Sequence, residues 1–227
     1  MWAPLVARLQ DSFDIVAVDL PGFGRDTART APGRLEDFAR AVIDTVNECG
    51  LDRFNLMGHS MGGMIAQQVA LECGSRIDRL VLYGTAGSGE LRHRFEPIEA
   101  SIQRLRVDGV RTVARSIVRS WFIGGEADPG FELCAAATVD VRLESAIAAL
   151  TAITLWDMRP RLGELTMPCL VIGGDSDRST PPDELLALRR GLPRAELCIL
   201  PGSAHAAHLE STYLFNAVTG KFLTTLE

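Results

Sequence analysis

No stretch of this 227-residue chain reaches eighteen consecutive apolar residues, so the sequence offers no membrane-spanning helix. Its five cysteines, Cys49, Cys73, Cys134, Cys169 and Cys198, form an odd, dispersed set without a CxxC pair or a neighbouring histidine cluster. That spacing argues against a zinc site and a disulfide framework, and for free thiols in a reducing compartment. Positive charge is not in excess: 23 Lys and Arg stand against 29 Asp and Glu, a net charge of -6. Nucleic acid or an anionic membrane is therefore not the expected partner, since binding phosphates needs clustered cations. Five arginines between Arg104 and Arg119 make the most basic stretch, read as the solvated face of a helix. Met1-Trp2-Ala3-Pro4 has neither a basic n-region nor an apolar h-region after it, so no secretory signal is expected and the expected location is cytoplasmic. Internal repeats and low-complexity tracts are also missing.

What is present is ordinary globular composition, 47% hydrophobic and 23% charged, in a length that suits one core with a small inserted subdomain. Short apolar runs predict strands buried on both faces at Asp14 to Asp19, Phe54 to Met57, Leu80 to Tyr83 and Cys169 to Ile172, with a fifth at Glu196 to Leu200. Helical patterns lie between them, at Leu35 to Cys49, Met61 to Cys73 and Glu184 to Arg190. A last helix is expected from about Glu210 to Leu226, with Leu214, Phe215, Val218 and Phe222 facing inward. Alternation of strand and helix implies a largely parallel sheet, an α/β fold. The rhythm breaks between Gly87 and Glu164, where the patterns are helical (Ile98 to Val107, Val110 to Trp121, Leu143 to Leu155) around a Gly/Pro loop at Gly124 to Gly130. The expected organisation is a core of residues 1–86 and 164–227, with residues 87–163 as a helical cap over one end of the sheet. Trp121, Phe122 and Trp156 of that segment either line a substrate pocket or glue the insertion to the core.

Gly58-His59-Ser60-Met61-Gly62 is a G-x-S-x-G sequence with a predicted strand before it and an amphipathic helix after it. A tight strand-to-helix turn strains the serine backbone and puts its hydroxyl at the tip, and glycines let neighbouring backbone pass close by. The following helix start places the Met61 amide where it can donate to an oxyanion. A hydroxyl needs a base to become a nucleophile. Of the four histidines, His59 lies in the turn and is expected to point away from Ser60, and His93 lies in the insertion. His205 and His208 follow the final strand, as the order Ser, acid, His requires. His205, presented by the loop Pro201-Gly202-Ser203-Ala204, is the first candidate, and His208 is assigned to the surface or to supporting the site. The acid that orients the imidazole is sought at a strand's carboxyl end, where Asp177 is the choice and Asp175 the competitor.

Asp19-Leu20-Pro21-Gly22-Phe23-Gly24-Arg25, Gly58-His59-Ser60-Met61-Gly62-Gly63, Gly174-Asp175-Ser176-Asp177 with Pro181-Pro182, and His205 with Glu210 together resemble the motif series of the α/β-hydrolase superfamily. The resemblance covers nearly the whole chain. It implies a mostly parallel sheet flanked by helices with a helical cap, and a triad of Ser60, Asp177 and His205. Serine at position 60, rather than aspartate, separates the chain from dehalogenases and epoxide hydrolases. Ser120-Trp121-Phe122, Asp157-Met158-Arg159-Pro160-Arg161-Leu162 and Leu170 to Pro182 are most similar to 3-oxoadipate enol-lactonases. Carbon–carbon-bond hydrolases of aromatic degradation, haloperoxidase-like esterases and menaquinone-pathway lyases share much of this pattern. The expected activity is cleavage of a small ester or enol-lactone without metal or organic cofactor, the alternatives being carbon–carbon hydrolysis or a lyase reaction by the same triad, or an inactive truncated fragment; Arg119 and Arg159 either pair a substrate carboxylate or are surface charges. Two departures stand out. Asp26 replaces a serine common in relatives, and Met1 to Leu5 resembles the helix that follows a His-Gly oxyanion loop. The fold is therefore expected to be truncated at its amino end, with a gap or exposed edge between residues 14–19 and 54–57.

Overall fold

The computed structural model describes residues 1–91 and 94–225. In chain order the elements are α1 (Ala3–Leu9), α2 (Leu35–Glu48), β1 (Phe54–His59), α3 (Met61–Cys73), β2 (Ile77–Tyr83), α4 (Ile98–Asp108), α5 (Val110–Arg119), α6 (Phe131–Ala136), α7 (Leu143–Thr154), β3 (Cys169–Gly174), α8 (Pro182–Gly191), β4 (Ala195–Leu200), α9 (Ala207–Glu210) and α10 (Thr212–Thr224). The four strands form one sheet in the order β1-β2-β3-β4, and all three pairings are parallel. Parallel strands require crossovers, and helices on both faces supply them. Leu80 and Leu82 face a core with Phe38 and Val69 from α2 and α3 and Leu185 and Leu188 from α8. Val81 and Tyr83 face the opposite layer, with Leu5 and Leu9 of α1 and Phe215 and Phe222 of α10. Alternate residues of one strand thus feed two cores, which is why residues 80–83 of β2 and 169–172 of β3 read as unbroken apolar runs.

Two expectations need correction. Residues 14–19 form no strand. Ile15 and Val16 are 40% and 49% exposed, not buried on both faces. A run of this composition becomes a strand only when a neighbour completes its hydrogen bonds, and β1 pairs with β2 alone. Leu214 is the second case: it is 42% exposed, whereas Phe215, Thr219 and Phe222 are buried. Ser211 (φ -124°, ψ 46°) separates the short α9 from α10, which starts at Thr212 close to the expected position and turns Phe215, Thr219 and Phe222 inward. Leu226, the expected helix end, and His93 lie outside the described residues.

Between β2 and β3 the described elements are helices and turns, including α6 and a 3-10 turn at Gly125–Ala127 within the Gly/Pro loop. A short antiparallel clasp joins the two ends of this segment. Gly89 donates to the Trp156 carbonyl (2.9 Å), Met158 donates to the Gly87 carbonyl (2.8 Å), and Ser88 bridges Asp157. The arginine-rich stretch spans α4 and α5, and two of its five arginines are ion-paired, Arg104 with Glu96 and Asp108, Arg115 with Glu126 and Glu132.

Candidate active site

The carboxyl end of β1 runs straight into α3, and Ser60 sits at the junction with φ 55° and ψ -124°. It is the one non-glycine residue with positive φ among the described residues. Such a backbone costs on the order of 1–3 kcal/mol and persists only where its surroundings enforce it. Here the Ser60 amide donates to the Tyr83 carbonyl (2.9 Å), and the Ser60 carbonyl accepts from Gly63 N (2.9 Å) and Thr85 Oγ1 (2.8 Å). A Cβ at Gly58 would run into the Gly62 carbonyl, and one at Gly63 into the Thr85 side chain. Gly62 itself faces open space, so the steric demand falls on Gly58 and Gly63, not on Gly58 and Gly62 as the five-residue motif suggests. As the first residue of α3, Met61 has an N–H without an acceptor inside the helix.

His205 follows β4 and is fully buried. Its Nδ1–H donates to Asp177 Oδ2 at 2.7 Å. The second oxygen, Oδ1, accepts from the amides of Ser179 (2.7 Å) and Thr180 (2.9 Å), so the carboxylate is held on both sides. Asp175 does other work: it accepts from Gly202 N (3.0 Å), Ser203 N (3.3 Å) and Ser176 Oγ (3.0 Å), bracing the loop ahead of His205. Those donors, the Gly202 amide foremost, hold its pKa below the usual aspartate value. Because an ionised carboxylate only accepts, the proton of a neutral His205 sits on Nδ1 and the lone pair on Nε2. His205 Nε2 is buried with no hydrogen-bond partner, so Ser60 Oγ is not bonded to it in this conformation. The two residues nonetheless flank the same three-residue segment. Ser60 is bonded to Tyr83 and Thr85, and a Cβ on Gly84 between them would lie 3.2 Å from His205 Nδ1.

Of the insertion's candidates, Trp121 reaches this group, its ring centroid 5.5 Å from that of His205 and its carbonyl accepting from Ala206 N (2.9 Å). Trp156 instead fills the core that joins the insertion to the sheet, with Ala152, Met158 and Leu162. Arg159 is committed to Asp157 and Glu90 on an exposed face, and Arg119 is exposed, its stem against Gly125. The structure therefore gathers Ser60, Asp177, His205 and Trp121, and sets Trp156, Arg119 and Arg159 elsewhere.

Three residues take positions their sequence context did not show. His59 is partly buried at the centre of the group, stacked on Tyr83 (4.3 Å between centroids) with its Nε2 3.0 Å from the His205 carbonyl. His208 is buried rather than at the surface, with Nδ1 3.0 Å from the Tyr83 hydroxyl. Burial, then the charges of His205 and His208, push the His59 pKa well below the ordinary histidine value. Burial also lowers that of His208, to about 3. Glu210 accepts from Ala204 N (2.6 Å) and from Ile123 N (2.7 Å), tying the His205 loop to the insertion, and burial raises its pKa. A cavity of about 810 Å³ lies at the opposite, amino end of the strands beside Ile77, Pro168 and Arg194. It holds none of these groups, and ligands of parallel sheets bind at the carboxyl ends. Among the described residues no cluster of His, Cys, Asp or Glu suits a metal ion, and no helix is long and apolar enough to cross a membrane.

A parallel sheet with helices on both faces, a strained serine between strand and helix, and a buried His–Asp pair after later strands define an α/β-hydrolase. The chain belongs to the alpha/beta hydrolase family, whose model matches residues 1–217, and it is a hydrolase enzyme. It is 32% identical to a 2-hydroxy-6-oxononadienedioate/2-hydroxy-6-oxononatrienedioate hydrolase of Dechloromonas aromatica, over 97% of this chain and 78% of that protein. Identity to 3-oxoadipate enol-lactonase 2 of Acinetobacter baylyi is 26%, over 95% of this chain and 80% of that one. The crystal structure of the enol-lactonase from Burkholderia xenovorans LB400 superposes with a TM-score of 0.88 at 26% identity, covering 99% of this chain and 86% of that chain.

Proposed function

We propose that this protein is a serine hydrolase that cleaves a small carboxylic ester or enol-lactone through an acyl-enzyme. The observation that carries the reading is the state of His205: Nδ1 is bound to Asp177, and Nε2 is buried and unpartnered beside the strained turn that bears Ser60. A base of this kind is desolvated, oriented and short of a proton donor, which is what a serine hydroxyl supplies. Hydrogen bonds between nucleophile and base are often open before substrate binds, and rotation about the Ser60 Cα–Cβ bond is the movement required.

In the reaction His205 Nε2 takes the Ser60 proton as Oγ attacks the carbonyl carbon. The Met61 amide, free of any helix acceptor, donates to the oxyanion. His205 then protonates the leaving oxygen, activates water against the acyl-enzyme and returns the proton to Ser60. Asp177 holds the tautomer and stabilises the imidazolium. Residues 87–163 serve as the lid, and Trp121 is its contribution to the substrate-facing wall. The chemistry uses the chain's own groups, the partner is a small molecule rather than nucleic acid or membrane, and the five free thiols suit the cytoplasm.

The 32% identity to a dienedioate hydrolase supports a second reading, carbon–carbon cleavage with the same three residues. Rates on p-nitrophenyl acetate, an enol-lactone and a 2-hydroxy-6-oxo-dienoate separate the two. Ester or lactone turnover that vanishes in Ser60→Ala supports the proposal. Dienoate cleavage with negligible esterase rate establishes the rival, and a folded wild type inert toward all three contradicts both.

A further inference from the structure

The His205 main-chain carbonyl lies in a cluster of side chains drawn from three separate elements. The Tyr83 hydroxyl is 2.7 Å from it and His59 Nε2 is 3.0 Å from it. Proton placement around this oxygen follows from valence alone. A carbonyl only accepts, so both neighbours must donate to it. Tyr83 has one hydroxyl proton and spends it there. The phenol oxygen is then left as an acceptor, filled by the His208 amide (3.1 Å) and by His208 Nδ1–H (3.0 Å). His59 correspondingly carries its proton on Nε2. Burial keeps the phenol protonated and both imidazoles neutral, so every donor in the chain stays in place.

We propose that Tyr83 and His59 are positioning residues for His205: two side-chain donors on its carbonyl fix the peptide from which the imidazole projects, and His208 locks the Tyr83 hydroxyl in the donating orientation. This rests on the reading of His205 as the base. The same peptide is held from its other side by Ala206 N, which donates to the Trp121 carbonyl, and Ala204 N is anchored on Glu210. The His205 carbonyl is thus the point where the floor of the sheet, through β1 and β2, sets the height of the catalytic ring. A shift of about 1 Å in such a group can cost a hundredfold in rate without touching substrate binding.

The test uses Tyr83→Phe, which keeps the ring that packs 4.7 Å from Phe215, together with His59→Ala and His59→Gln. Two readouts are taken on folded protein: the downfield proton resonance of the His205 Nδ1–H···Asp177 hydrogen bond, and the rate of covalent labelling by a fluorophosphonate. The expected result for Tyr83→Phe is a shifted or broadened resonance and a maximal labelling rate about 10- to 100-fold lower, at unchanged half-saturating reagent concentration. His59→Gln, which retains an N–H donor, recovers part of the rate lost in His59→Ala. Wild-type resonance and a labelling rate within twofold in both Tyr83→Phe and His59→Ala overturn the proposal. If Tyr83→Phe does not fold, the two His59 variants decide on the same criteria. If wild type takes no label, the reading of Ser60 fails, while the resonance still decides whether Tyr83 and His59 position the imidazole.

Discussion

Asp177 and Asp175 are two residues apart at the end of the same strand, yet only Asp177 meets an imidazole. Asp175 turns back on the amides of residues 202 and 203. The pair is a controlled comparison. Asp177→Asn leaves the shape and removes the charge that holds the His205 tautomer, so we expect a fall in kcat on the order of 10³ to 10⁴. Asp175→Asn weakens a loop brace, and steady-state kinetics should show less than a tenfold loss. The reverse ranking would reassign the acid. The placement of Ser60, Asp177 and His205 was legible in the sequence because each sits in a short local pattern after a strand. Tyr83 was not. A tyrosine ending an apolar run reads as core, and the carbonyl it serves is 122 residues away. His208 reads as a supporting or surface residue, but its burial depends on α9 packing against Tyr83 of β2, which no local pattern shows.

The elements were legible where a period is strong and long. α2 and α3 start where their apolar stripes begin, and α7 and α8 are within two residues of expectation. Residues 14–19 failed because strand propensity is a statement about neighbours, and none pairs with them here. Leu214 failed because α10 buries the stripe Phe215, Thr219 and Phe222, which leaves Leu214 outside it. The joint between the His205 loop and the insertion is carried by the Glu210 carboxylate. Glu210→Ala would leave the Ala204 amide, at a buried residue, without an acceptor, while the exposed Ile123 can turn to water. The expected loss is roughly 1–3 kcal/mol of unfolding free energy, with Glu210→Gln intermediate because its one carbonyl can satisfy one of the two donors. Urea unfolding measures both. Wild-type stability in Glu210→Ala would mean that the carboxylate does not hold the joint.

At the scale of the molecule, two neutral histidines, the buried His208 and the half-buried His59, couple folding to pH. The pKa values of His59 and His208 are lower in the folded state than the ordinary 6.5, so the unfolded chain binds more protons. Their contribution is complete above about pH 6.5 and is lost as pH falls through that value, continuing for His208 to about pH 3. For His208, between pH 7.5 and 5.0, this amounts to roughly 2 kcal/mol. Equilibrium unfolding in urea at the two pH values should show a clearly lower midpoint at 5.0, and equal midpoints would contradict neutral burial. His205 is fully buried in the same group, so the predicted acid lability and the desolvation of the proposed base would have one physical origin.

The central claim is that Ser60, His205 and Asp177, which the chain brings to one end of a parallel sheet, act as one unit. Stoichiometric reaction with a fluorophosphonate, followed by peptide mapping, tests it most directly. The account predicts one adduct per chain, located on Ser60, formed more than 10³-fold more slowly in His205→Ala and Asp177→Asn. An adduct on another residue, or labelling of Ser60 at an unchanged rate without His205, would contradict it.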